Sequence, residues 1–308
     1  MFYEVRRLRL LRELAAHGTI AATAEACHLT PSAVSQQLSL LEREAGTPLF
    51  VRDGRRLVLT EAARVLVAHT ERVLAELERA RAEVAALRTG VRGTVRLSGF
   101  PSAAVALAAP AIAACRAAHP ELRVLLGESE PAESVAALRA QTCDVALVYE
   151  YDLLPRISDS GVELRELLRE PLLAALPPNA EAPPDGGAVA LAGLAEQPWI
   201  APRSDTALRT VIERACQSAG FEPRLDYTSD DYTVIMSLVQ AGLGVSVLPR
   251  LVAEPLASDV RLREVAGLRP TRTVSAAVRA GSAAEPRIAA LTDALTAAAE
   301  RWRAEQSL

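Results

Sequence analysis

Ser32, Ser35, Gln36 and Ser39 fall on one side of a short segment whose other side carries Val34, Leu38 and Leu41 at helical spacing. Hydroxyl and amide groups both donate and accept hydrogen bonds, so such a ridge suits base edges and phosphate oxygens in a major groove. A face that needs only solubility normally carries Glu, Lys and Arg, often in i,i+4 pairs. A short way downstream, Arg52, Arg55 and Arg56 surround Asp53-Gly54. Guanidinium groups at that place can straddle phosphates or enter a minor groove.

Those side chains need elements to aim them. Thr30 followed by Pro31 opens a helix, with a hydroxyl to cap the free amides and a residue whose fixed φ suits the first turn. Residues 20–41 then read as two short helices joined tightly, the second presenting its N-terminal residues as a recognition helix does. Gly46 ends that helix. Asp53-Gly54 lies between Leu49-Phe50-Val51 and Leu57-Val58-Leu59, a strong hairpin signal because Gly accepts the positive φ of the turn. A helix pair followed by an arginine-tipped hairpin is a winged helix. A first helix over 5–17 presents Val5, Leu8, Leu11 and Ala15 inward, and Thr19 stands ready to cap the next. An ordinary amphipathic hairpin in a bundle is the alternative for the helix pair taken alone. Through Thr60 there are eight arginines against six acids, a balance of +2, while the whole chain is −4. The basic face is local.

Residues 1 to about 90 resemble the N-terminal part of the LysR-type transcriptional regulators. The resemblance is carried by Thr30-Pro31-Ser32-Ala33-Val34-Ser35-Gln36-Gln37-Leu38, Leu41-Glu42, Gly46-Thr47-Pro48-Leu49-Phe50, and Arg52 through Thr60-Glu61-Ala62. By position it implies DNA contacts at Thr30, Pro31, Ser32, Ser35, Gln36, Arg52, Arg55 and Arg56. Pro31 stands where the family often has Gln, and Gln36 where it often has Arg. Both changes remove one contact from base readout.

Residues 60–88 hold no Gly and no Pro, and Leu66, Val73, Ala80 and Leu87 recur every seven residues, with Leu77 and Val84 between them. That is an a/d seam two copies can share, as a homodimer or homotetramer; a lone amphipathic helix on its own domain is the other reading. Thr89-Gly90-Val91-Arg92-Gly93 is a hinge. The expected division is a DNA-binding domain at 1–60, a linker and dimerisation helix with hinge at 61–92, and an α/β domain at 93–308.

After Gly93 short Val/Leu-rich stretches (94–100, 122–128, 144–149, 171–176, 199–201, 224–227, 273–279) alternate with helical ones. The alternation implies right-handed crossovers and a parallel sheet covered on both faces. This part resembles the effector-binding domain of the same regulators, whose fold is periplasmic-binding-protein-like. The resemblance implies two α/β lobes, about 93–160 with 271–308 and about 161–270, and a small-molecule effector between them. Ligands in open α/β sheets bind beyond the carboxyl ends of strands, where helix N-termini offer amides to anions. Ser102, Ser129, Ser204 and Thr228 occupy such places, each with a capping role as the alternative. Arg203 fits an anionic effector or a solvated charge.

Neither G-x-S-x-G nor a Walker-type loop occurs, and no histidine lies near a plausible nucleophile in sequence. No enzyme, cofactor or metal site is therefore expected. Cys27, Cys115, Cys143 and Cys216 are isolated and sit in apolar contexts, where burial rather than redox sensing is the usual role. The N-terminus lacks the apolar run of a signal peptide, and no run is expected to reach a membrane span, so a cytoplasmic location is expected. The competing whole-chain reading is an α/β solute-binding or enzymatic protein whose helical N-terminus only mediates association. A nucleoid protein binding all DNA alike is a remoter one.

Overall fold

The computed structural model describes residues 3–53, 56–87, 90–156, 159–180 and 187–305. Helices α1 (Val5–His17), α2 (Ile20–Ala26) and α3 (Pro31–Ala45) precede a two-stranded hairpin, β1 (Phe50–Asp53) and β2 (Arg56–Leu59), and a 26-residue helix, α4 (Glu61–Ala86). Their common core is Leu8, Leu10, Leu11, Leu14, Val34, Leu38, Leu41, Leu49 and Ala63. The inward stripe of α1 is wider than the Val5, Leu8, Leu11 and Ala15 set. Ala15 is exposed and Leu10 and Leu14 are buried, because α1 is sandwiched between α4 and the α2–α3 pair.

The rest of the chain is α/β. Lobe 1 holds β3 (Gly93–Gly99), α5 (Pro101–Ala103), a π turn (Ala104–Ala108), α6 (Ala109–Ala118), β4 (Leu122–Glu128), α7 (Pro131–Arg139) and β5 (Val145–Tyr151). A 15-residue strand, β6 (Val162–Leu176), leads to β7 (Pro198–Ala201), α8 (Ala207–Ser218), β8 (Arg224–Thr228), α9 (Tyr232–Gln240), β9 (Ser246–Pro249), α10 (Arg250–Ala253) and β10 (Arg261–Glu264). The chain returns along β11 (Thr271–Arg279) and closes with α11 (Pro286–Glu305). The large sheet runs β10-β6-β11-β5-β3-β4, with β9 also on β6.

The sheet is mixed rather than parallel. β3 pairs in parallel with β4 and β5, but β11 is antiparallel to both β5 and β6. One of these long strands carries the chain outward and the other brings it home, so they must run in opposite directions. Burial is likewise uneven: β4 is an edge strand, which leaves Leu125 and Leu126 exposed. The first half of β6, with Glu163, Arg165 and Glu166, escapes a hydropathy reading because its side chains are mostly in water. One further expectation fails: 101–118 is an 18-residue run of mean hydropathy 1.4, long and apolar enough to span a membrane. It is a lobe 1 core helix, with Ala103, Leu107, Ala111 and Cys115 buried, and alanine supplies much of its apolarity.

Candidate nucleic-acid interface and effector cleft

Thr19 Oγ1 accepts from the Ala22 amide at 3.2 Å and starts α2, and Thr30 Oγ1 accepts from the Ala33 amide at 3.2 Å and starts α3. Each hydroxyl satisfies one of the orphan donors of a first turn. Thr30, Pro31, Ser32, Gln36, Ser39 and Arg43 are exposed, and Ser35 is half-buried. Ser32 Oγ lies 3.0 Å from Thr30 Oγ1. Ser35, Gln36 and Ser39 make no side-chain hydrogen bond among the described residues, so their bonding capacity is unspent.

Gly46 ends α3 in a left-handed conformation, φ 67°, and returns its amide to the Glu42 carbonyl. The Glu42 carboxylate then accepts from the Leu49 amide at 2.8 Å and the Phe50 amide at 3.4 Å, which fixes the base of the hairpin to the recognition helix. Thr60 Oγ1 donates to the Pro48 carbonyl and also caps α4 through the Ala63 amide. The hairpin register sets Arg52 opposite Leu57 and Asp53 opposite Arg56. Arg55 lies outside the described residues, as do the side chains of Arg52 and Arg56. Arg7, also near α3, is consumed internally by Gln37, Glu4 and Glu44.

The second site lies where β6 and β11 join the lobes. Arg272 and Glu170 are each 1% exposed, with Arg272 Nε donating to Glu170 Oε1 at 2.8 Å. The other Glu170 oxygen accepts from the Leu251 amide. The guanidinium stands over the Phe100 and Tyr149 rings, 5.2 and 5.7 Å from their centroids. Burial opposes its charge, but the Glu170 carboxylate beside it holds Arg272 protonated. Tyr149 donates to Glu130 Oε2 at 2.7 Å, and burial pushes its hydroxyl well above the ordinary tyrosine range. Burial likewise raises the Tyr232 hydroxyl, against the opposing charge of Arg272.

The sequence candidates divide between the lobes. Ser102 Oγ accepts a long bond from Arg272 Nη2 at 3.4 Å. Ser129 joins a three-serine cluster, 2.5 Å from Ser98 Oγ and 2.6 Å from the buried Ser134 Oγ. Ser204 and Thr228 are exposed in lobe 2, near the ends of β7 and β8. Arg203 is not free: it is paired with Asp230, whose other oxygen accepts the Arg203 amide. The helix cap in that segment is Thr206, not Ser204. Sequence reasoning missed Glu170, Arg272, Glu130 and the tyrosines. Tyr149 and Tyr151, two apart on one strand, were the only available signal.

Among the described residues no group of three or more His, Cys, Asp or Glu is placed to hold a metal. Cys143 and Cys216 are buried, and desolvation pushes their thiols up to about 11 and about 12.

A tethered winged helix, a long helix and two α/β lobes hinged on crossing strands define a ligand-responsive DNA-binding regulator. Residues 5–64 match the bacterial regulatory helix-turn-helix protein, lysR family, and residues 88–300 match the LysR substrate binding domain. The chain belongs to the LysR family of transcriptional regulators, with a DNA-binding domain and an effector-binding domain. It is 29% identical over 253 residues to the nitrogen assimilation regulatory protein nac of Klebsiella aerogenes, covering 82% of this chain and 80% of that one. It is 30% identical over 252 residues to the RuBisCO operon transcriptional regulator of Allochromatium vinosum, covering 80% of each. Its fold is similar to that of full-length CbnR complexed with its target DNA, at a TM-score of 0.54 and 24% identity over 96% of this chain and all of that one.

Proposed function

We propose that Thr30, Pro31, Ser32, Ser35 and Gln36 meet a major groove while Arg52, Arg55 and Arg56 engage the flanking backbone. The polar ridge of α3 supports this reading above all, since nothing among the described residues bonds Ser35, Gln36 or Ser39. The domain division is that expected from the sequence, 1–60, 61–92 and 93–308. The chain is read as a regulator without catalysis of its own, working in the cytoplasm. Its effector lies between the lobes near Ser102, Ser129, Ser204 and Thr228, and binds one lobe arrangement better than another. Arg203 is spent on Asp230 and so is not free to meet an anion.

Self-association is supported by the outer face of α4, where Val65, Val73, Leu77, Val84 and Leu87 are all exposed. Leu66 of the same seam packs on the winged domain instead, so the shared seam begins near Val73. A gel-shift titration against the protein's own promoter region at several salt concentrations is the test. Specific, salt-sensitive binding supports the reading, and indifference to sequence overturns it.

A further inference from the structure

Helix α4 lies on lobe 1 along a single face in which Glu71 is 6% and Ala82 1% exposed. Two arginines of lobe 1 meet that face. Arg139, the last residue of α7, has Nη2 3.6 Å from Glu71 Oε1 and Nε 3.0 Å from Asp159 Oδ2. Arg279, the last of β11, has Nε 3.6 Å from Glu78 Oε2 and Nη2 3.6 Å from Asp144 Oδ1. Each guanidinium is thus shared between one carboxylate of α4 and one of lobe 1. Gln141 also donates to Glu78 Oε1 at 3.0 Å. Glu71 and Glu78 are seven residues apart, two turns along one face.

The lobe surface between them is shaped for a helix backbone. Gly281, at φ +85°, faces Ala75, and any Cβ there would collide with the Ala75 carbonyl. Its amide is held by Glu163 at 2.8 Å, and the neighbouring Ala280 amide donates to the Gly161 carbonyl at 2.9 Å. Elsewhere the winged domain stands off: a cavity of about 740 Å³ separates Arg9 and His17 of α1 from Val135 and Arg139, with α4 as its floor. Arg12, paired with Glu13 on α1, also offsets the Glu71 charge.

We propose that this surface of lobe 1 is a docking site for the chain's own α4, and that making or releasing the dock sets where the winged domain stands. The pairing of carboxylates is what makes the contact separable. Removing one partner of a buried ion pair is normally severe because the other charge is left uncompensated. Here Asp159 and Asp144 stay with Arg139 and Arg279 when α4 leaves, while Glu71 and Glu78 pass into water. The regulatory consequence rests on the regulator reading; the dock itself does not.

Two experiments on the full chain test this. In Glu71→Gln/Glu78→Gln, hydrogen exchange at residues 279–282 and 159–163 rises about tenfold or more, with β7, β8 and α9 unchanged. Unchanged exchange at 279–282 overturns the dock. A Glu78→Cys/Gln141→Cys cross-link in an otherwise native chain is independent of those variants. In a mixture of isotopically light and heavy chains it forms only within one isotope, and mixed-isotope products overturn the in-chain occupant in favour of a second copy. Forming the cross-link changes promoter affinity by about fivefold or more. Unchanged affinity removes the regulatory consequence and leaves the dock standing.

Discussion

On the recognition helix Ser35, Gln36 and Ser39 have nothing to bond among the described residues, while several polar side chains at the second site are bonded to one another. Ser35, Gln36 and Ser39 await a partner from outside the chain. Ser129, Arg203, Tyr149 and Arg272 have already found theirs in Ser134, Asp230, Glu130 and Glu170. A surface that meets a rigid polymer can remain unsatisfied because water serves it meanwhile. A cleft between two lobes cannot, since burial without partners is costly. Any effector must compete with internal pairs.

The sharpest way to break this comparison is Arg272→Ala. It leaves Glu170 buried and uncompensated, and should cost about 3–5 kcal/mol in denaturant unfolding of the effector domain. A loss below about 1 kcal/mol would show the cleft network to be loosely held. Replacing both partners, Arg272→Met with Glu170→Gln, should recover most of that loss. On the other side of the comparison, Gln36→Ala should leave stability nearly unchanged but alter preference among operator variants by about 1–3 kcal/mol. Equal weakening on every sequence would remove Gln36 from base readout. Arg55→Ala should weaken all sites alike and reduce the salt slope by about one; an unchanged slope contradicts a phosphate contact.

The smallest effect is expected from the buried thiols. Burial raises Cys143 and Cys216, so the unfolded chain loses these protons first. Stability is therefore kept at neutral pH and lost as pH climbs from the ordinary thiol range toward about 11 and about 12. Cys143→Ser should flatten that alkaline loss in pH-dependent unfolding. In the folded wild type at pH 7 both thiols should resist alkylation, and fast labelling of either would reopen a redox role.

The contrast between the two regions also explains what could be read in advance. Thr30, Pro31, Gly46 and Thr60 act on neighbours within a few residues, so the helix pair, its caps and the hairpin were legible as local chemistry. Glu170 meets Arg272 across 102 positions and Ser98 meets Ser134 across 36, distances at which no spacing rule operates. Arg203 shows the limit well: alone in sequence it reads as an anion site or a solvated charge, and only folding reveals Asp230 beside it. The antiparallel return of β11 was likewise hidden, because strand direction is set by the crossing between lobes and not by residue type.

Glu42 grips both amides at the foot of the hairpin, and Thr60 ties that hairpin to the start of the long helix. The reading head is thereby one stiff piece, with no joint between ridge and wing. On the proposed reading, a signal arriving from the lobes moves this head as a unit. On that reading what changes is the gap between two heads along the duplex, so its operators should tolerate changes within a half-site more readily than an inserted base pair between them.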